Sequence, residues 1–408
     1  MEDKDHKKLG PALGLYYIDP VVGKGLPMYL PKGAIIKHEL EKFVLEEETR
    51  RGYKHVATPD LANLGLYEKS GHYPHYKDSM YAPITIDDEE YMLRPMTCPH
   101  HFQMFLHKPR SYRELPMRIA ELAQLYRYEQ SGELMGLQRV RSFCLADAHI
   151  ICKDEEEAVR EINDALDLIE YMAGVFGLEL NKDYRYRLSL GDRSNTEKYY
   201  DDPAAWEKSE SLMREAMKAR GSEFEEATDE AAFYGPKVDV QMKNVNGKED
   251  TAFTVQYDFC MPDRFKLEYI DKDGEKKKAF VVHRSSIGAI ERIMAFLIEK
   301  YEGAFPLWLS PEQIRVLPVA EAHNEYAQSV VEKLKEVGIR ADIDDSGESL
   351  GKKIRNAKED KLPYFVVVGD KEMESGILTL EVRDGSKIEA GLEEVIAKLQ
   401  EEIKSRSL

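Results

Sequence analysis

The stretch Ala120-Glu121-Leu122-Ala123-Gln124-Leu125-Tyr126-Arg127-Tyr128-Glu129 is followed, past Gly132 and Gly136, by Gln138-Arg139-Val140-Arg141-Ser142-Phe143. It reads as an extended segment, a glycine-marked turn and a returning extended segment. Two strands joined by so short a connection must run antiparallel, because a parallel neighbour needs a crossover of a dozen residues or more. The same habit recurs through residues 1–308. Residues 53–58 read as a short strand ending at Pro59, and 90–93, 184–190, 238–243, 252–258 and 278–283 as further strands. Helices are predicted over 35–51, 155–176 and 287–301. Strands adjoin strands more than they alternate with helices, which predicts an α+β fold with a largely antiparallel sheet. The acidic segment 201–230 reads as a surface helical excursion.

A joint falls near Ala304-Phe305-Pro306-Leu307-Trp308-Leu309-Ser310-Pro311, where two prolines bracket a tryptophan after a long helical pattern. Beyond it, strands at 314–319, 340–343, 364–368 and 377–382 are interleaved with helices at 325–337, 350–360 and 392–405. This alternation predicts a small α/β domain on a mainly parallel sheet. The expected division is therefore 1–308 and 309–408.

The chain has 408 residues, of which 42% are hydrophobic and 33% charged, the proportions of a folded globular protein. No apolar run approaches the roughly 18 residues of a membrane span. Cys98, Cys144, Cys152 and Cys260 are too scattered for a disulfide framework and suit a reducing cytoplasm. With 58 basic and 76 acidic residues the net charge is −18, of which −6 lies in 309–408 and −12 in the rest. This argues against a general electrostatic binder of nucleic acid, and any such contact needs a local basic strip. The helix bearing Lys352, Lys353, Arg355 and Lys358 is the best candidate, although Glu348, Glu359 and Asp360 also suit a solvated face.

P-loop, dinucleotide-binding and HExxH signatures are absent. Three constellations carry chemistry instead. Arg127 and Glu129 stand two apart, so on a strand they share a face, the guanidinium placed to clamp a phosphate and the carboxylate to accept from an amine. Phe143 on the returning strand offers a ring for stacking. A surface hairpin with cross-strand charge pairs accounts for the same residue types. Gly288-Ala289-Ile290-Glu291-Arg292 opens a helix, where a phosphate meets both Arg292 and the helix dipole. Cys98, His149 and His283 are possible metal ligands, but no ligand-spacing rule selects them, and His100 and His101 compete.

Taken together and in order, these residues resemble a class II aminoacyl-tRNA synthetase, and within that class the threonyl enzymes. Leu30-Pro31-Lys32-Gly33 through Pro59 is similar to motif 1, Arg127–Glu129 with its returning strand to motif 2, and Gly288–Arg292 to motif 3. Arg94-Pro95-Met96-Thr97-Cys98-Pro99, Asp147-Ala148-His149-Ile150, Tyr234-Gly235-Pro236-Lys237 and His283-Arg284 resemble the threonyl enzymes specifically. Residues 309–408 resemble the anticodon-binding domain shared with the prolyl, histidyl and glycyl enzymes.

The resemblance implies ATP-dependent activation of L-threonine and its transfer to tRNA(Thr), by a cytoplasmic homodimer joined through the motif 1 region. It implies one Zn²⁺ per chain on Cys98, His149 and His283, selecting threonine over valine, and ATP accompanied by Mg²⁺. Arg127 would bind the α-phosphate, Glu129 the adenine amine, Phe143 one face of the ring, and Arg292 the other face near the γ-phosphate. Lys237 and Gln256 would line the adenylate site, and Met96, Asp147 and Tyr234 the threonine pocket. His72 would assist transfer to tRNA, and Glu372 and Arg383 would read the anticodon. The family usually carries an editing domain ahead of this core, so acceptance of serine is expected of the present chain. Leu145-Ala146 stands where the family has Gln-Asp, Thr251 where it commonly has glutamine, and Glu381 where it often has arginine.

Overall fold

The structure is a computed structural model that describes residues 4–408, apart from the side chains of Pro74 and His75. The chain divides into two compact units. One comprises Ile18–Pro27 and Glu41–Ala295, the other Met1–Tyr17, Met28–Leu40 and Phe296–Leu408. The expected boundary at 308/309 thus falls inside the second unit. That unit draws in the chain's beginning because His6 bonds Glu299 and Arg340 bonds Glu39, at 2.6 and 2.7 Å.

The first unit is built on an eight-stranded sheet. Its strands are β1 (Lys54–His55), β2 (Met117–Tyr126), β3 (Ser142–Cys152), β4 (Tyr184–Leu190), β5 (Phe224–Thr228), β6 (Lys237–Lys243), β7 (Glu249–Asp258) and β8 (Phe280–Ala289). Their order is β5-β4-β6-β7-β8-β3-β2-β1. The central pairs are antiparallel, as expected, and only the two edge pairs, β5 with β4 and β1 with β2, are parallel. Helix α1 (Cys98–Leu106) and helix α2 (Glu155–Val175) pack onto the sheet. The latter is capped by Asp154 on the Glu157 N–H, with three glutamates in its first turn answering the helix dipole. Its apolar stripe from Ala158 to Ala173 is buried.

Segment 201–230 is more than a surface excursion. Its helix α3 (Pro203–Arg220) buries Trp206, Met213 and Met217, and leads into edge strand β5. A helix of that length is what carries a chain back to pair in parallel with the strand it left.

In the second unit, strands β9 (Ile314–Pro318), β10 (Ala341–Ile343), β11 (Tyr364–Val368), β12 (Ile377–Val382) and β13 (Lys387–Gly391) form a sheet ordered β10-β9-β11-β12-β13. Its first three strands are parallel. β12 and β13 are antiparallel to their neighbours, so the sheet is mixed and not mainly parallel. The helix before β12, Asp370–Ser375, has six residues, too few for a crossover, and the chain turns back instead. Among the described residues no helix is long and apolar enough to cross a membrane.

Candidate active site

The register of the large sheet decides the site. Lys237 pairs with Gln256, Gln256 with His283, and His283 with His149, so four residues scattered from 149 to 283 form one row across β6, β7, β8 and β3. Directly opposed residues share a face, and this row faces a cavity of about 810 Å³. Phe143, Leu145, Asp147 and His149 line the same cavity at every second position of β3, as strand periodicity requires. Every residue expected at the active site lines it: His72, Met96, Cys98, Arg127, Glu129, Phe143, Asp147, His149, Tyr234, Lys237, Gln256, His283 and Arg292.

At one place Cys98, His149 and His283 present ligand atoms all within 4.8 Å of one another, each residue buried. Cys98 arrives from the first turn of α1, whereas the histidines face each other across a strand pair. Burial and the carboxylates of Asp147 and Asp258 push the Cys98 thiol up. Burial and the neighbouring His283 and His101 push the His149 imidazole well down, which keeps it neutral. One soft sulfur and two imidazoles at the wall of the cavity are a donor set suited to zinc. One ring nitrogen of each histidine is already held: His283 Nε2 lies 2.7 Å from Asp258 Oδ2, and His149 Nδ1 lies 2.8 Å from His101 Nδ1. His72 stands beside the centre, its Nε2 3.9 Å from the Cys98 sulfur and its Nδ1 2.7 Å from Ser70 Oγ.

Around this centre lie polar groups suited to an amino acid. Asp147 accepts a bond from Thr97 Oγ1. Tyr234 stacks on His283 at 4.8 Å and donates to Gln256 Oε1 at 2.6 Å. Farther along, Arg127 and Glu129 sit just past the end of β2, with Arg127 5.1 Å over the Phe143 ring and its Nε donating to Pro95 O at 3.2 Å. The charges of Arg127 and Glu129 therefore face a cavity, whereas Glu133 pairs with Arg139 within the hairpin. Arg292, in the first turn of helix α4 (Ile290–Tyr301), donates to the carbonyls of Gln138, at 2.9 Å, and Thr251. Lys237 Nζ bonds the buried carboxylate of Asp239 at 2.6 Å. Leu145 and Thr251 also line the cavity, so two of the departures from the family pattern fall on its wall.

The two anticodon candidates are placed differently. Glu372 accepts from Gly369 N at 3.0 Å and caps a short helix. Arg383 donates to the carbonyls of Ala304 and Phe305 at 2.8 and 2.9 Å, which ties its guanidinium to its own chain. On helix α5 (Leu350–Glu359) the basic strip is thinner than its sequence. Lys353 is buried and donates to Pro318 O at 3.1 Å, and Lys352 pairs with Glu348, whereas Arg355 and Lys358 are exposed.

Sequence reasoning passed over Glu121 and Asp258, which hold the histidines from behind, and took His101 only as a rival ligand. No local signal marks them, because an acidic residue on a strand is a partner or a solvated charge depending on what the fold brings opposite.

Residues 81–301 match the family described as tRNA synthetase class II core domain (G, H, P, S and T), and residues 313–402 match the anticodon binding domain. A threonine–tRNA ligase of Listeria welshimeri is 46% identical over 405 residues, covering 98% of this chain and 62% of the relative. The chain thus spans about three fifths of the length of the curated relatives it matches. The solved RNA binding domain of threonyl-tRNA synthetase from Cryptosporidium parvum superposes with a TM-score of 0.91 at 33% identity, covering 97% of this chain and 98% of that one. A prolyl-tRNA synthetase from the same organism shares the fold, with a TM-score of 0.72 at 15% identity over 98% of this chain and 75% of that one.

Proposed function

The chain belongs to the class II tRNA synthetases, and within them to the threonyl-tRNA synthetases; from that membership we propose that it activates L-threonine with ATP and transfers it to tRNA(Thr). The observation that carries the reading is one cavity lined both by Cys98, His149 and His283, whose ligand-type atoms lie within 4.8 Å of one another, and by Arg127 and Arg292.

In the first step a carboxylate oxygen of threonine attacks the α-phosphorus of ATP in line, and pyrophosphate leaves with its Mg²⁺. Charge builds on the phosphate oxygens, and Arg127 and Arg292 offset it from positions fixed in the cavity wall. Glu129 accepts from the adenine amine, Phe143 and Arg292 sandwich the ring, and Lys237 and Gln256 hold the adenylate. In the second step a ribose hydroxyl of the terminal adenosine attacks the threonyl carbonyl, its proton passing to His72, and AMP leaves.

Asp147, Tyr234 and Met96 surround the amino acid. Cys98, His149 and His283 would hold a zinc ion, which when bound supplies Lewis-acid positions for the amine and hydroxyl of threonine together. Shape alone separates threonine from isosteric valine by only about 10²-fold. Serine carries both groups and is not excluded by the same means. The protein works in the cytoplasm as a homodimer joined through the segment from Leu30 to Pro59, with Arg355 and Lys358 as basic contacts for tRNA.

Metal analysis together with amino-acid-dependent ATP–pyrophosphate exchange tests this, on the wild type and C98S. One zinc per chain and threonine-dependent exchange are expected, with metal and discrimination against valine both lost in C98S. A wild type whose exchange ignores threonine would sink the proposed activity. A wild type free of zinc that still discriminates would sink the role of the metal.

A further inference from the structure

Behind the Cys–His–His centre runs a chain of polar contacts whose far members do not line the cavity. His149 Nδ1 meets His101 Nδ1 at 2.8 Å, and His101 Nε2 meets Glu121 Oε2 at 3.1 Å. All three residues are buried, His101 fully so. Glu121 accepts three further bonds: from Thr58 N at 3.1 Å, from Thr58 Oγ1 at 2.8 Å and from Arg94 Nη1 at 3.0 Å. Burial by itself raises the Glu121 carboxyl, but the bonds from His101, Thr58 and Arg94 outweigh it and hold the group down at about 2. Glu121 is therefore a carboxylate, and a carboxylate only accepts.

With a carboxylate as its terminal acceptor, the row of contacts favours one order of protons. His101 must carry its proton on Nε2 to donate to Glu121, so in its neutral form Nδ1 is an acceptor. In that order His149 donates from Nδ1, and its Nε2 is left with a lone pair. Asp258 does the same for His283, whose Nε2 donates to Oδ2 at 2.7 Å and whose Nδ1 is thereby left as the ligand atom. Adjacent His100 shows that burial alone does not place a histidine in such a role, since neither of its ring nitrogens has a partner among the described residues.

We propose that His101 and Glu121 are positioning residues of the metal centre: they fix the tautomer and ring orientation of His149 so that its Nε2 is the metal-binding atom. The inference rests on the zinc reading above and adds to it the residues that make His149 a ligand. A histidine ligand whose other nitrogen donates to such a partner is more basic and better aimed, and outer partners of this kind carry roughly 10–100-fold of metal affinity.

The test compares the wild type with H101L, H101Q and E121Q. Zinc affinity is measured by competition with a chromogenic chelator, and the visible absorption of the cobalt(II)-loaded protein reports ligand geometry. H101L fills the space but neither accepts from His149 nor donates to Glu121, so zinc affinity falls by roughly 10–100-fold and the cobalt band shifts. In H101Q the amide oxygen accepts from His149 and the amide nitrogen donates to Glu121, so affinity and band return toward wild type. E121Q no longer dictates which His101 nitrogen is protonated, and an intermediate loss is expected; it also serves if H101L does not fold. Equal zinc affinity and an unshifted cobalt band in H101L, or in E121Q where H101L cannot be purified, would overturn the inference while leaving the zinc reading intact. A wild type that binds neither metal would overturn both.

Discussion

Replacing Gly288 by alanine tests the geometry that joins the two ends of the cavity. Gly288 lies in a bulge of β8, between the pairs Ser285–Asp147 and Ala289–Leu145, with φ at +67°. A Cβ built there stands 2.0 Å from the carbonyl oxygen of Ala252 and 3.3 Å from the Phe253 ring. Two costs follow. A left-handed backbone costs a non-glycine residue about 1–2 kcal/mol. The Cβ must also part from a backbone oxygen by about 1 Å or more, and overpacking of this kind costs about 1–3 kcal/mol. Gly247 provides the control, since its φ is +78° but a Cβ there meets no atom within 4 Å, leaving only the backbone term. G288A should therefore be destabilised beyond G247A by about 1–3 kcal/mol. The chain has two tryptophans. In a W308F background the buried Trp206 reports on the first unit alone during urea unfolding. Since Arg292 bonds the carbonyl of neighbouring Thr251, displacement of β7 should also raise KM for ATP in pyrophosphate exchange, which G247A leaves alone. If G288A and G247A unfold at the same urea concentration, the close approach of β8 to β7 at the cavity wall is wrong.

The Glu121 carboxyl is held at about 2 against an ordinary 4.5. Its contribution is present above pH 4.5 and fades as pH falls toward 2, with about 2 kcal/mol gone by pH 3; E121Q should flatten that acid limb of the unfolding curve, and parallel curves would count against it. Burial pushes the Cys260 thiol up to about 12 and raises that of Cys152, and Cys144 is also buried. These three should resist a disulfide reagent at pH 8 until urea unfolds the protein, and fast labelling of the native chain contradicts their placement. In charging assays serine should be attached to tRNA to an appreciable extent and valine hardly at all; rejection of serine as strong as that of valine refutes selection by amine and hydroxyl together. K353A should lower stability by about 1–3 kcal/mol through its orphaned carbonyl partner, Pro318 O. The pair R355A/K358A should instead weaken tRNA binding without shifting the unfolding midpoint, and the reverse pattern would misplace the basic strip.

Much of the fold is legible along the chain because strand and helix periods are local. The segment read as a strand at 184–190 is β4 to the residue, and the helices read at 155–176 and 287–301 differ by a few residues at their ends. What the local pattern does not hold is whatever a partner decides. Lys237 to Lys243 is a strand from its own pattern, but whether 377–382 pairs parallel or antiparallel depends on the length of the helix before it. Arg383 carries the charge of a base reader and donates to backbone carbonyls. Lys353 carries the charge of a phosphate contact and is buried on Pro318 O.

Sequence alone determined the family's signature stretches, and through that resemblance it named Cys98, His149 and His283 as candidate ligands that spacing could not single out. Pairing register decided the rest. His149 and His283 stand 134 positions apart and are neighbours only because β3 and β8 run antiparallel with those two residues opposed. Which histidine near Cys98 contacts His149 was likewise decided in three dimensions: His101 meets His149 and Glu121, whereas His100, one position earlier, has no such partners among the described residues. A side chain's chemistry is written in its identity, but its protonation, its aim and its partner are set by whatever distant strand the fold lays beside it.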